Sequence, residues 1–291
     1  MSAINTSFQA LQSAVTLGRN QDLLNQSLIA LSSGSKASVV SDNPAAAGVA
    51  GKLTSQSQRL NAVTTNLQNA VSYTQTGSGI LGQVGDVLNR MSEISALAQD
   101  PAQSSADVAA YQTEFQGLQT ELRNTIGGTA AEIGGSSDVA SPLGTYDGTQ
   151  LFGSNSPGYQ VVLGAAVGES MTIPSTNLRT GAMLGLIQQD SSGNFTLDVS
   201  SATAADLTAA TRQVAAGQAT FGAAQARLDL AASTVRTQSQ NMASAISQIN
   251  DVDVASEATQ LAKYNVLVQA DAAMTAQANT NAEAVLKLLH Q

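Results

Sequence analysis

Leu207, Val214, Phe221, Leu228, Val235, Met242 and Ile249 recur at intervals of seven without a break. An apolar residue at every seventh position stays on one side of an α-helix, so the stripe predicts a long helix with a coiled-coil seam. Three residues after each stands Ala210, Gly217, Ala224, Ala231, Gln238, Ala245 or Val252. The second seam position is mostly small, which lets a neighbouring helix approach closely. Seven residues fall slightly short of two ideal turns, and the mismatch predicts a left-handed supercoil of at least about 46 residues, or ~69 Å.

Two further segments offer partners. Ser41-Asp42-Asn43-Pro44 is a helix start, with capping side chains followed by a proline whose missing N–H costs nothing in the first turn. Leu53, Leu60, Val63, Leu67, Leu81, Val84, Leu88 and Met91 then follow at helical spacing until Asp100-Pro101. That predicts a helix of about 55 residues. Val108, Tyr111, Phe115, Leu118, Leu122 and Ile126 predict a third helix, ended by Gly127-Gly128. Between residues 128 and 205 the pattern shortens to alternating runs. Tyr159, Val161 and Leu163, then Met171 and Ile173, then Phe195, Leu197 and Val199 predict strands separated by turns. This region is too short for a large core of its own and is expected to pack on helix ends.

Both ends of the chain carry apolar stripes with almost no charge. Ile4, Phe8, Leu11 and Val15 form one; Leu17, Leu24, Leu28 and Leu31 continue it with a shifted phase. Leu261, Val268, Val285, Leu286, Leu288 and Leu289 stripe the other end. Such helices are marginal in water while their apolar face is bare, so disorder is expected until something covers them. Interfacial membrane helices usually carry Lys or Arg opposite the apolar face, whereas residues 1–33 have only Arg19 and Asp22, which favours helical partners, including copies of this chain. The whole pattern predicts a mainly α fold: a long antiparallel helical bundle or coiled coil built from the N- and C-terminal segments, with a small central β-hairpin region.

Composition narrows the chemistry. The 291 residues include 12 Lys+Arg and 21 Asp+Glu, a net charge of −9, with no Cys and a single His, His290. Thiolate chemistry, disulfides, Cys/His metal sites and a His-centred triad in the body of the chain are thereby excluded. No cofactor is expected. With acidic residues in excess and no basic cluster, nucleic acid is not an expected partner. No window approaches the length and apolarity of a membrane span, and the start lacks the basic and apolar regions of a cleaved signal peptide. Missing disulfides by themselves point weakly to a reducing compartment.

Gly77-Ser78-Gly79-Ile80-Leu81-Gly82 matches the G-x-G-x-x-G of dinucleotide sites, with Asp100 near the distance of a ribose-binding acid. The flanking spacing is helical, however, and no βαβ alternation follows. Asp251/Asp253 and Glu114/Glu121 could pair for acid/base work, but solvated helix faces account for them. Phe221 and Met242 lie at seam spacing and read as core.

Several stretches resemble bacterial flagellin. Met1-Ser2-Ala3-Ile4-Asn5-Thr6 is similar to that family's opening, Leu31-Ser32-Ser33-Gly34 to its LSSG turn, and Ser41-Asp42-Asn43-Pro44-Ala45 to its next helix start. Gly222-Ala223-Ala224-Gln225-Ala226-Arg227-Leu228 resembles its GAxQNRL stretch, and Ile249-Asn250-Asp251-Val252-Asp253-Val254-Ala255 its I-x-D-x-D-x-A stretch. Residues 273–279 and 285–289 resemble its AMLAQAN…VLxLL ending. Lys36, Asn43, Gln248, Asn250 and Ala282 depart from the family's usual residues.

The resemblance implies a non-enzymatic, self-assembling protomer of the flagellar filament, exported without a cleaved signal and located outside the cell. It implies inner-tube helices at 1–40 and 256–291, a helical core with hairpins at 41–175 and 205–255, and a small variable insert at 176–204. Implied partners are further copies of the chain, hook-associated and cap proteins, an export chaperone and a host Toll-like receptor, the last recognising Arg90, Ile94 and Glu114. Two alternatives stand beside it: a hook-filament junction protein, against which Val285–Leu289 and the GAxQ-like stretch argue, and a nucleotide-binding enzyme using Gly77–Gly82.

Overall fold

The computed structural model describes residues 2–36, 44–153, 158–164 and 169–289, without the side chains of 2–7, 9 and 281–289. Its elements in chain order are helices α1 (Ser2–Ser33), α2 (Pro44–Ala98), α3 (Ser105–Ile126) and α4 (Ala130–Ile133), strands β1 (Thr145–Tyr146), β2 (Thr149–Gln150), β3 (Tyr159–Val162) and β4 (Ser170–Ile173), then helices α5 (Gly181–Ile187), α6 (Ala204–Asn250) and α7 (Val254–Leu289). They divide between two compact units, Met1–Gln58 with Ser239–Gln291, and Arg59–Gln238.

The second unit contains the seam that the heptads announce. Along α2, Leu60, Val63, Leu67, Ala70, Thr74, Gly77, Leu81, Val84, Leu88, Met91, Ser95 and Ala98 alternate at three and four residues, and all are buried. On α6, Leu207, Val214, Phe221, Leu228 and Val235 are buried, as are Ala210, Gly217 and Ala224 at the small positions. The last two members of that stripe, Met242 and Ile249, are half-buried and lie in the first unit. α2 starts at Pro44 as its signal predicts, with the capping residues 41–43 outside the described residues.

Gly77 and Gly217 show why small residues occupy this seam. A Cβ on Gly77 would stand 2.7 Å from the Phe221 ring, and one on Gly217 would stand 2.6 Å from Thr176 Cγ2. The glycine motif at 77–82 lies within the uninterrupted α2, so neither the strand nor the loop that a phosphate-binding turn needs is formed. Gly79, by contrast, faces open space. We expect Gly77→Ala to lower stability by about 1 kcal/mol, overpacking outweighing the helical preference of alanine, and Gly79→Ala to raise it by up to about 1 kcal/mol. Opposite shifts of the urea midpoint would establish the notch, and equal shifts would refute it.

α3 is fixed at both ends. Ser104 and Asp107 form a reciprocal capping box, and Gly127, at φ 66°, ends the helix where a Cβ would strike Pro142. Its inward face carries Phe115, Leu122 and Ile126, together with Gln119 and Arg123. The Arg123 guanidinium donates from Nη1 to the carbonyls of Ile133 at 2.7 Å and Ile187 at 3.0 Å, and from Nη2 to that of Gly134 at 2.6 Å. Desolvation lowers its pKa from the usual arginine value. Arg179 likewise donates to Glu132, to the Ile126 carbonyl and to Gln150.

The sheets are small. β1 pairs antiparallel with β2 and β3 with β4, the latter in register Tyr159 with Ile173. Tyr159 stacks on Tyr73 at 4.8 Å, Tyr146 and Phe221 meet Tyr73 edge-on, and burial raises the Tyr73 pKa above its ordinary value. The strand predicted at Phe195–Val199 does not form; Phe195 makes one isolated bridge to Gln189. The chain there is held instead by Gln119, which donates to the carbonyls of Leu186 and Leu197. Residues 176–204 supply α5 and the buried side chains of Leu178, Met183, Leu186, Ile187, Val199 and Ala202 to the core.

Candidate assembly surface

α1 and α7 pack on each other within the first unit. Asn20 Nδ2 donates to Asp271 Oδ2 at 2.5 Å, and a hollow is lined by Leu23, Ser27 and Ala30 of α1 together with Glu257, Gln260 and Tyr264 of α7. Ascending numbers on one helix thus meet descending numbers on the other, so the pair is antiparallel. The turn between helices is tied at its base by the Val252 N–H donating to the Gly34 carbonyl and by Ser35 Oγ donating to Asn250 Oδ1. Asp253 caps α7 by accepting from the amides of Ala255 and Ser256, and Asp251 accepts from the Ser247 hydroxyl, so both carboxylates have structural partners.

Burial identifies the seam. On α1 the shielded positions include Ala10, Ser13, Leu17, Asn20, Leu24, Ser27 and Leu31, flanked by Gly18, Leu23, Gln26 and Ala30; on α7 they include Glu257, Leu261, Tyr264, Val268, Asp271, Thr275 and Ala278, flanked by Leu267. The central row of each alternates at three and four residues, the spacing of a coiled coil. Leu17, Leu24, Leu31, Leu261 and Val268 of this row belong to the apolar stripes read from the sequence. The polar members escape a reading by apolarity, which passes over serine, asparagine and aspartate.

The other apolar stripe of α1 points away from this seam. Phe8, Leu11 and Val15 are 64%, 63% and 65% exposed, and Leu28 and Ile29 are also exposed. At about 100° per residue, Phe8, Leu11 and Val15 centre roughly 180° from the α7-facing seam. Val266 of α7 is 65% exposed, and Met274 is exposed as well. Each terminal helix thus gains one partner, yet α1 retains a ladder of large apolar side chains in water. Scattered apolar exposure is ordinary; an aligned row on one helix face marks a binding surface. The side chains of Ile4, Val285, Leu286, Leu288 and Leu289, and all of His290, lie outside the described residues.

Among the other expected site residues, Arg90 and Glu114 come together. Arg90 Nε and Nη2 contact Glu114 Oε1 at 2.8 and 2.7 Å, and Nη1 contacts Glu93 at 2.8 Å. Hydrogen bonds to Glu93 and then Glu114 raise the Arg90 pKa. Ile94 is wholly buried, unlike these exposed charges. Among the described residues, no three His, Cys, Asp or Glu side chains cluster as a metal site, and no helix is long and apolar enough to cross a membrane.

Long helices that close one seam internally and hold a second apolar ladder open define a class of structural subunit that completes its packing on other chains. Comparison with known proteins identifies the family. Residues 4–131 match the bacterial flagellin N-terminal helical region and residues 205–289 match the bacterial flagellin C-terminal helical region, so this chain belongs to the bacterial flagellin family. It is 29% identical to a flagellar filament 30.7 kDa core protein of Treponema maltophilum, over 98% of this chain and 99% of that protein. Flagellins of Halalkalibacterium halodurans and Bacillus subtilis are 28% and 29% identical, again over 98% of this chain and 99% of each relative. The family role is that of a structural protomer of the flagellar filament.

Proposed function

We propose that the chain polymerises through the outward ladder of α1 and the adjoining face of α7, and that these terminal helices line the inner tube of a filament outside the cell. The observation carrying this reading is the division of α1 into two opposite faces, one closed on α7 and one bearing exposed Phe8, Leu11 and Val15. A contact that joins this ladder to a different surface of the next copy does not close on itself and propagates as a helix. Few charges along these helices keep like-charge repulsion low when many copies crowd together. Export through the flagellar type III apparatus, an export chaperone, and hook-associated and cap proteins complete the reading. Recognition by a host Toll-like receptor rests on Arg90 and Glu114, the exposed pair.

Electron microscopy of the full-length chain after salting-out, with and without sheared filament seeds, tests the proposal. Long tubes with a narrow channel are expected. Short rings under conditions where a control flagellin polymerises would instead favour the junction protein.

A further inference from the structure

The α1–α7 seam has a weakness built into its repeat. Leu17, Leu24 and Leu31 lie seven residues apart on one edge of the α1 seam, and Leu261, Val268 and Thr275 lie seven apart on α7. In the antiparallel register anchored at Asn20 and Asp271, Leu24 stands opposite Val268 and Leu17 opposite Thr275. Sliding α1 by one heptad, about 10 Å, would again set these leucines against residues of the same α7 edge. Apolar burial alone therefore distinguishes the registers poorly.

We infer that Asn20 and Asp271 are a positioning pair within the helical span that, with the ties of Gly34 to Val252 and Ser35 to Asn250 at its base, selects the register of the terminal coiled coil, and with it the composite surface offered to the next subunit. Their side chains meet at 2.5 Å, part-buried, within an edge otherwise made by Ser13 and Ser27 on α1 and by Tyr264 and Ala278 on α7. A one-heptad slide would put Asn20 against Tyr264 or Ala278 and Asp271 against Ser27 or Ser13. The shielded carboxylate would exchange its amide donor for the hydroxyl of a shorter serine side chain, and a well-placed polar contact given up in a seam disfavours the wrong register. The consequence reaches assembly, because the exposed ladder of Phe8, Leu11 and Val15 moves with α1 relative to Val266 and Met274. This consequence rests on the polymerisation reading; the register itself does not.

The absence of native cysteine allows a direct test in the full-length chain. A registered pair, Leu24→Cys with Val268→Cys, is compared with two slipped pairs, Leu24→Cys with Leu261→Cys and Leu24→Cys with Thr275→Cys. Intramolecular disulfides are read by gel mobility before and after salting-out. With Asn20 and Asp271 in place, the registered pair is expected to cross-link at least about tenfold more than either slipped pair, by the loss of one hydrogen bond to a charged group. Combining Asn20→Leu with Asp271→Leu should bring the ratio to within about threefold while leaving the melting temperature equal or higher, as in coiled coils freed of a polar layer. The exchange Asn20→Asp with Asp271→Asn should restore the preference.

A tenfold preference persisting in the leucine variant overturns the inference. Loss of every cross-link in both the leucine and exchanged variants also overturns it, since the pair would then be a folding contact without a role in choosing register. If the unaltered chain forms no filament, the polymerisation reading fails while the cross-link ratio still decides the register.

Discussion

Arg123→Met is expected to destabilise the Arg59–Gln238 unit by about 3 kcal/mol, a large part of the 5–15 kcal/mol typical of a folded domain. Methionine refills most of the apolar volume, so packing is not the main loss. What disappears is a planar fork that reaches three carbonyls at once, those of Ile133, Gly134 and Ile187. These carbonyls belong to the end of α4 and of α5 and to the glycine between α4 and the following loop. Helix ends leave carbonyls without intrahelical donors, and Arg123 supplies donors where water cannot. The Ile133 carbonyl keeps the Gln189 N–H at 3.4 Å, but a buried acceptor left bare costs about 1–3 kcal/mol before relaxation, offset by no longer burying a charge. Arg123→Lys should recover only part of the loss, because an ammonium cannot span the same three acceptors. Urea denaturation followed by circular dichroism measures both variants. A methionine variant within about 0.5 kcal/mol of the parent would show that the three carbonyls find other donors.

Replacing Phe8, Leu11 and Val15 together by aspartate should have the opposite profile. All three are largely exposed, so the helical signal and melting temperature of the dilute chain should hardly change. Polymerisation should be abolished even with seeds. Each subunit would bring three carboxylates into a packed surface, where an unpaired ion costs several kcal/mol to desolvate and neighbouring copies repel it. Sedimentation after salting-out reads the loss. Pelleting at the parental yield, with tubes visible by microscopy, would locate the assembly contact elsewhere.

How far the chain can be read without its structure differs from one element to the next. The α2 and α6 helices were legible because Leu60, Leu67, Leu81, Leu88, Leu207, Phe221 and Leu228 keep a period that only a helix satisfies, and strong turn signals bound α2 at Pro44 and Pro101. Tyr159–Val162 and Ser170–Ile173 were legible as strands from their alternation. Phe195, Leu197 and Val199 carry the same alternation, yet the hydrogen bonds that would make them a strand go instead to Gln119 and to scattered backbone groups. Alternation records which side chains are shielded in turn, and a loop pressed against a core can shield them as a sheet does.

The sequence by itself determined the repeating units: which segments are helical, where their apolar positions recur, and how little charge they carry. It also determined membership of the family, since matches at both ends depend on residue identity. Tertiary structure decided which of two possible faces of α1 meets α7. The bulkier Phe8, Leu11 and Val15 ladder remained in water, while serines, Asn20 and the Leu17, Leu24 and Leu31 row took the seam. It also turned Arg123 into a buried clamp, Gly77 into a notch for Phe221, and Ile94 into core. Periodicity fixes the angle between residues on one helix, but the choice of face depends on the partner's shape and donors. Those arrive from residues hundreds of positions away, such as Asp271 opposite Asn20.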